Sequence, residues 1–312
     1  MTVAAMLVLN GENSVMIEFS LCLETVFTSL PPPQRIARIA DAGFTSVEFW
    51  HPEATWDGQA INPALPKNAA ALQQVCSQNN ITVGGFVLNA WDGLYGGRPV
   101  VAEDRERYLA QTRKMIEFAR AVGCPTLATL SGTSAPGLTR AQMRTNLVAA
   151  LGAATALAEK HGMLLVLEPL NTQVDHPGYF LHSTTEAVEI IREINSPNLK
   201  LLYDIYHMQI MEGNILATIE QHLDLIGHFH AAAVPGRGEI YQGELNFRGI
   251  VQRLEALGYR GRFGLEFFPG TGGHDEVLRA TLAYLGGEEA GLTIGPAAVP
   301  SGVSRPAAPL RG

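Results

Sequence analysis

The stretch LKLLYDIYH, residues 199–207, decides the fold: a short, nearly continuous apolar run of strand length ends on an acid, Asp204, and turns straight into a polar segment. Apolar runs of this length without strict alternation suit strands buried on both faces, as in a parallel sheet covered by helices. Reading outward, the same design recurs. Upstream lie VMIEFSLC (15–22), TSVEF (45–49), ITVGGFVL (81–88), TLATL (126–130) and MLLVLE (163–168); downstream lie LIGHFHA (225–231) and RFGLEF (262–267). Between them run segments of helical period such as 103–122 and 139–161, several of which stop at Gly43, Gly123, Gly162 or Gly258. Eight strand–helix units in one chain predict an α/β fold, a single (β/α)8 barrel over 15–285. A doubly wound open sheet has a similar local pattern and is the alternative.

Composition agrees with one large core. The 312 residues are 46% hydrophobic and 17% charged, and no run reaches the roughly 18 apolar residues that a membrane-spanning helix needs. Residues 1–14 read as an N-terminal extension without a basic leader, so no signal peptide is expected and a cytoplasmic location follows. The Gly-, Pro- and Ala-rich stretch 286–312 lacks apolar period and reads as a flexible tail. The formal net charge of −8 opposes nucleic-acid binding, which draws on Lys and Arg at phosphates. Cys22, Cys76 and Cys124 are odd in number and widely spaced, as expected of reduced core thiols.

Four potential metal ligands close consecutive apolar runs: Glu168 in LVLEPLN, Asp204 in LLYDIYH, His230 in GHFHAAA and Glu266 in GLEFFPG. In a barrel the C-terminal strand ends share one mouth, so these four meet in space. Each acid alone reads as readily as a helix cap or an ion-pair partner. Together they would repel and lose solvation unless a cation sat among them, and a carboxylate-rich set suits Mn²⁺ or Mg²⁺, with Co²⁺ or Zn²⁺ as alternatives.

LEPLNTQVDHPGYFL (167–181), LLYDIYHMQIMEGN (201–214), VPGRGEIYQGELNF (234–247) and GLEFFPG (264–270) resemble the hydroxypyruvate isomerase family within the xylose-isomerase-like TIM-barrel superfamily. FSLCLETVF (19–27) and AGFTSVEFW (42–50) extend the likeness. The resemblance implies that one divalent metal is held by Glu168, Asp204, His230 and Glu266, and that Glu168 and Glu266 double as acid and base. A hydroxycarbonyl substrate would pass through an enediolate, and return of the proton to the neighbouring carbon or to the opposite face gives isomerisation or epimerisation.

His207, in D-x-x-H, resembles a ligand of substrate hydroxyls. Arg237 in PGRGE is placed to clamp a carboxylate or a sugar oxygen, with Glu239 either beside it in the site or simply its ion-pair partner. Glu48 and Trp50, at the end of the second strand, either line the mouth or serve as packing or ion-pair residues. Asn89 opens NAWDGLYGGRPVV (89–101), where family members usually carry a segment like G-D-W-A-x-G-E-R-G, and it joins the expected substrate-binding residues. His230 is a second departure, since Gln is common there near the animal enzymes and His in the sugar epimerase branch. The expected partner is thus a small molecule, a hydroxypyruvate-like keto acid or a keto sugar. A lyase acting on a keto sugar or 3-keto glycoside through the same proton abstraction is the alternative. Related barrels often pair, which leaves a homo-oligomer open.

Overall fold

The period-two alternation of side chains along a strand sorts each apolar run into two sets. Leu165, Leu167, Leu201, Tyr203, Phe229, Phe263 and Leu265 turn outward into the main core under the helices. Ala128, Val166 and Leu202 turn inward and form a small separate cluster inside the barrel. A sheet with two apolar faces must be covered on the outside and closed on the inside, and the chain does both.

The computed structural model describes residues 17–270 and 272–286. Eight parallel strands, β1 (Glu18–Cys22), β2 (Ser46–Phe49), β3 (Thr82–Val87), β4 (Thr126–Thr129), β5 (Leu164–Leu167), β6 (Leu199–Asp204), β7 (Ile226–Ala231) and β8 (Arg262–Leu265), follow one another in chain order around a closed barrel. Closure is made by β8 on β1, with Phe19 opposite Phe263 and Leu21 opposite Leu265. This excludes the open doubly wound sheet. All eight expected strands are present, each within three residues of its expected limits. The expected N-terminal extension, 1–14, and the expected tail beyond Gly286 lie outside the described residues.

The helices follow their apolar faces. In Arg105–Val122 the buried positions Tyr108, Thr112, Met115, Ile116, Ala119 and Val122 recur at three- and four-residue spacing, and Gly123 ends the helix at φ 69°. Arg140–Glu159 begins with a reciprocal cap in which the Gln142 N–H donates to Thr139 Oγ1 and the Thr139 N–H to Gln142 Oε1.

Two buried cations that the sequence did not single out hold the loops at the mouth. Arg35 donates to the carbonyls of Leu23, Thr28, Leu30 and Trp56 at 2.7–2.9 Å. Lys67 lies 2.6 Å from Glu24 Oε1 and also donates to His51 O and Ala54 O. The other oxygen of Glu24 accepts the Trp50 N–H at 3.0 Å, so this pair fixes the backbone that carries Trp50. A short antiparallel ladder, Thr55–Trp56 on Ile61–Asn62, was also not expected from the sequence.

Candidate metal centre

The four strand-end residues come together at the mouth, each nearly enclosed: Glu168, Asp204, His230 and Glu266 are all less than 9% exposed. Asp204 and His230 are register partners across β6 and β7. Glu168 and Glu266 each sit one residue beyond a strand, their N–H groups bonded to Thr129 O at 3.2 Å and Ala231 O at 3.0 Å. His230 Nδ1 then lies 3.6 Å from Glu168 Oε1 and 3.3 Å from Glu266 Oε2. One ligand atom from each of Asp204, His230 and Glu266 falls within 4.8 Å of the others, and the same holds for Glu168, Asp204 and His207.

Asp204 has a second task that explains D-x-x-H. It caps the helix Ile205–Met211, its Oδ1 accepting the His207 N–H at 3.1 Å, which brings the His207 ring back so that Nε2 is 3.6 Å from Asp204 Oδ2. The Asn171 N–H points at His207 Nδ1 at 3.2 Å. A backbone N–H can only donate, so Nδ1 is the acceptor and the proton of the neutral ring is on Nε2. Burial and the nearby Arg237 hold the His207 imidazole well below its usual basicity, which keeps it neutral. His207 therefore offers an N–H to an oxygen rather than a lone pair to a metal.

Arg237 sits in the turn after β7 with φ 58°, its N–H on Ala233 O and its carbonyl accepting from the Phe268 N–H. Its guanidinium lies 3.2 Å from Glu266 Oε2 and over the Tyr206 ring. The Trp50 indole N–H donates to the other oxygen of Glu266. The Glu239 carboxylate does not meet Arg237; it accepts from the Gly270 N–H at 2.7 Å and ties the loops after β7 and β8 together.

Asn89 is wholly enclosed, its amide bonded to Leu130 N, Leu130 O and Thr129 Oγ1. It clamps strand ends and leaves little hydrogen-bonding capacity for a substrate. The Glu48 carboxylate is likewise engaged. Its Oε2 lies 2.8 Å from His230 Nε2 and 3.2 Å from His228 Nε2.

The electrostatics show what the cluster lacks. Burial and the neighbouring Glu168 push the Asp204 carboxyl up to about 7. Burial opposes ionisation of Glu266 too, but Arg237 and His230 more than offset it and bring that carboxyl down to about 2. Burial also disfavours a charged His230, yet Glu168, Glu266 and Glu48 around it raise it well above the ordinary imidazole range. Its Nδ1 has no hydrogen-bond partner among the described residues. A buried imidazole nitrogen without a partner, among three carboxylates, fits a divalent cation. Cation binding must displace protons from Asp204 and His230, so Mn²⁺ affinity is expected to rise with pH through neutrality, roughly tenfold per unit for each proton displaced. Mn²⁺ titrations between pH 6 and 8 check this; a flat profile would remove these two groups from the site.

Gly264 and His228 were not anticipated, although both left a signal. A Cβ on Gly264 would lie 2.5 Å from His230 Cδ2 and 2.9 Å from Glu48 Oε2. A glycine inside a strand often marks such a close approach, and H-x-H in β7 puts both imidazoles on one face. Gly264→Ala is expected to displace the His230 ring and weaken Mn²⁺ binding by about 10–100-fold, the range for groups supporting a ligand. A titration matching the parent protein would show that the ring adapts.

The family model for the xylose isomerase-like TIM barrel matches residues 36–285. The chain is 32% identical to the hydroxypyruvate isomerase of Escherichia coli (strain K12), over 82% of this chain and 95% of that one. It is 31% identical to the 2-oxo-tetronate isomerase of Pectobacterium atrosepticum, over 81% and 92%. The chain belongs to the xylose isomerase-like TIM barrel family. Among solved structures, one described as an AP endonuclease, family 2, from Brucella melitensis superposes with a TM-score of 0.77 at 31% identity, covering 86% of this chain and 99% of that one. The resemblance read from the strand-end motifs is borne out, and the family member is an enzyme of the isomerase and epimerase type. No helix among the described residues is long and apolar enough to cross a membrane.

Proposed function

We propose that this family member is a metal-dependent isomerase or epimerase that moves one proton on a small α-hydroxycarbonyl compound, a short keto acid in the first instance, through an enediolate. The observation that carries the proposal is the pair of glutamates from opposite parts of the chain, Glu168 and Glu266, that flank the same imidazole nitrogen at 3.6 and 3.3 Å. When bound, a divalent ion, Mn²⁺ or Mg²⁺ by the oxygen-rich donor set, supplies stabilisation for the negative charge that develops as a carbon-bound proton leaves. One glutamate takes that proton and the other returns one to the neighbouring carbon or to the opposite face. The His207 Nε2–H donates to a substrate oxygen. Arg237 keeps Glu266 ionised and directs its remaining N–H groups at an anionic or hydroxyl-rich end of the substrate. The Trp50 indole fixes the orientation of the Glu266 carboxylate.

Relatives that act on hydroxypyruvate and 2-oxo-tetronate by name support the keto-acid reading. The net charge of −8 argues against the nuclease chemistry named for the Brucella structure. The test is a screen of Mn²⁺- or Mg²⁺-loaded protein against C3 to C6 keto acids and ketoses, with products read by NMR. An isomer of unchanged mass is expected. Loss of water or of an aglycone would instead indicate a lyase, and no turnover of any member would sink the proposal.

Arg237→Lys keeps the charge but not the two-pronged geometry or the stacking on Tyr206, and it is expected to lower kcat/KM on the accepted substrate by about tenfold or more. Equal kcat/KM would show that only the charge is used.

A further inference from the structure

The inside of the barrel is divided. The wall made by β4, β5 and β6 is apolar, with Ala128, Val166 and Leu202. On the opposite wall a carboxylate and two imidazoles, Glu48, His228 and His230, meet, with His230 shared between this cluster and the strand-end residues. Glu48 is only 6% exposed, which makes it a costly group to leave without a role.

The geometry points to Glu48 as the positioning residue that holds His230 with Nδ1 toward the metal centre, and to His228 as the group that holds Glu48. This inference rests on the metal-dependent reading given above.

Hydrogen-bond direction fixes the tautomer of His230. A neutral imidazole carries one proton on one of two nitrogens, and only the other nitrogen can bind a metal. His230 Nε2 lies 2.8 Å from Glu48 Oε2, and an ionised carboxylate can only accept. The ring proton is therefore held on Nε2, and the lone pair is left on Nδ1, the nitrogen that faces Glu168 and Glu266. His228 Nε2, 3.1 and 3.2 Å from the two Glu48 oxygens, donates from the other side and stops the carboxylate from rotating away. Gly264 leaves the floor of the pocket open where a methyl group would strike both His230 and Glu48. Carboxylate partners of metal-bound imidazoles orient the ring and raise its basicity, and their loss typically weakens metal binding.

A glutamine at position 48 could accept from one imidazole, but its amide NH₂ would face the N–H of the other. Glu48→Gln is expected to raise the dissociation constant for Mn²⁺ by about 10–100-fold with stoichiometry still one, and turnover should recover as Mn²⁺ is raised. Glu48→Asp, which keeps an acceptor-only group, should fall between Gln and the parent. In the parent protein loaded with Zn²⁺, ¹⁵N NMR should find His230 protonated at Nε2 and coordinated through Nδ1, a readout that needs no variant to fold. A merely structural Glu48 would lower thermal stability and leave the Mn²⁺ constant unmoved. A substrate contact would raise KM and likewise leave it unmoved. Either result, or coordination of His230 through Nε2, overturns the inference while the metal centre stands. A parent protein that binds no Mn²⁺ overturns both.

Discussion

Glu168→Gln and Glu266→Gln are each expected to reduce kcat by roughly 10²–10⁴-fold at saturating Mn²⁺, the loss typical of removing a general acid or base. Glutamine keeps the size of the side chain and one ligand oxygen, so metal is retained more weakly while proton transfer is lost. The two variants should differ. Glu266 also accepts from Trp50 and lies 3.2 Å from Arg237, so an amide there leaves a guanidinium without its countercharge. No Arg or Lys among the described residues lies against Glu168, whose ion-pair partner is His230, so the amide there should cost mainly the proton-transfer role. Steady-state rates beside metal content for each variant check the prediction. Near-parent turnover in both would end the two-carboxylate mechanism.

The second large effect is on the metal. Asp204→Ala or His230→Ala is expected to weaken Mn²⁺ binding by about 10²-fold or more, since on the proposed reading each removes a ligand and leaves neighbouring carboxylates uncompensated. Asp204 also caps the helix Ile205–Met211, so its alanine variant should lose about 0.5–2 kcal/mol of stability as well. Asn is as good a cap as Asp, which makes Asp204→Asn the control: parent-like unfolding with metal affinity well below the parent. His230→Ala leaves the buried Glu48 charge with His228 alone, and its metal-free form should be the less stable of the two alanine variants. Elemental analysis and thermal unfolding of the three proteins separate these effects. Unchanged occupancy in both alanine variants would place the cation elsewhere.

These residues differ in how visible they are in a linear chain. Glu168, Asp204, His230 and Glu266 were legible because each closes an apolar run, and in a barrel the run ends share one mouth. The strands were legible for a related reason: buried on both faces, they read as unbroken hydrophobic segments. Glu48, His228 and Gly264 were harder to place because their meeting depends on which face of β2, β7 and β8 turns inward and on the barrel being closed. Glu48 was read as a mouth or ion-pair residue since it lies near a strand end, and its carboxylate is taken up by His230 and His228. Asn89 was placed by its position after β3, and nothing in the sequence says that its amide is taken up by Leu130 and Thr129. Arg35, in the helix Pro32–Asp41, and Lys67, in a loop, look like solvated cations, because the carbonyls that bind them come from segments brought together by the fold.

Whether one carboxylate takes the proton and a different one returns it is read by running the reaction in D₂O on the substrate identified by the screen and analysing the product by NMR. A returning glutamate that has exchanged with solvent delivers deuterium, so the account predicts a product carrying one deuterium on the carbon that receives the proton. A product that keeps the substrate's own hydrogen at that carbon, as in a direct hydride shift, would contradict it.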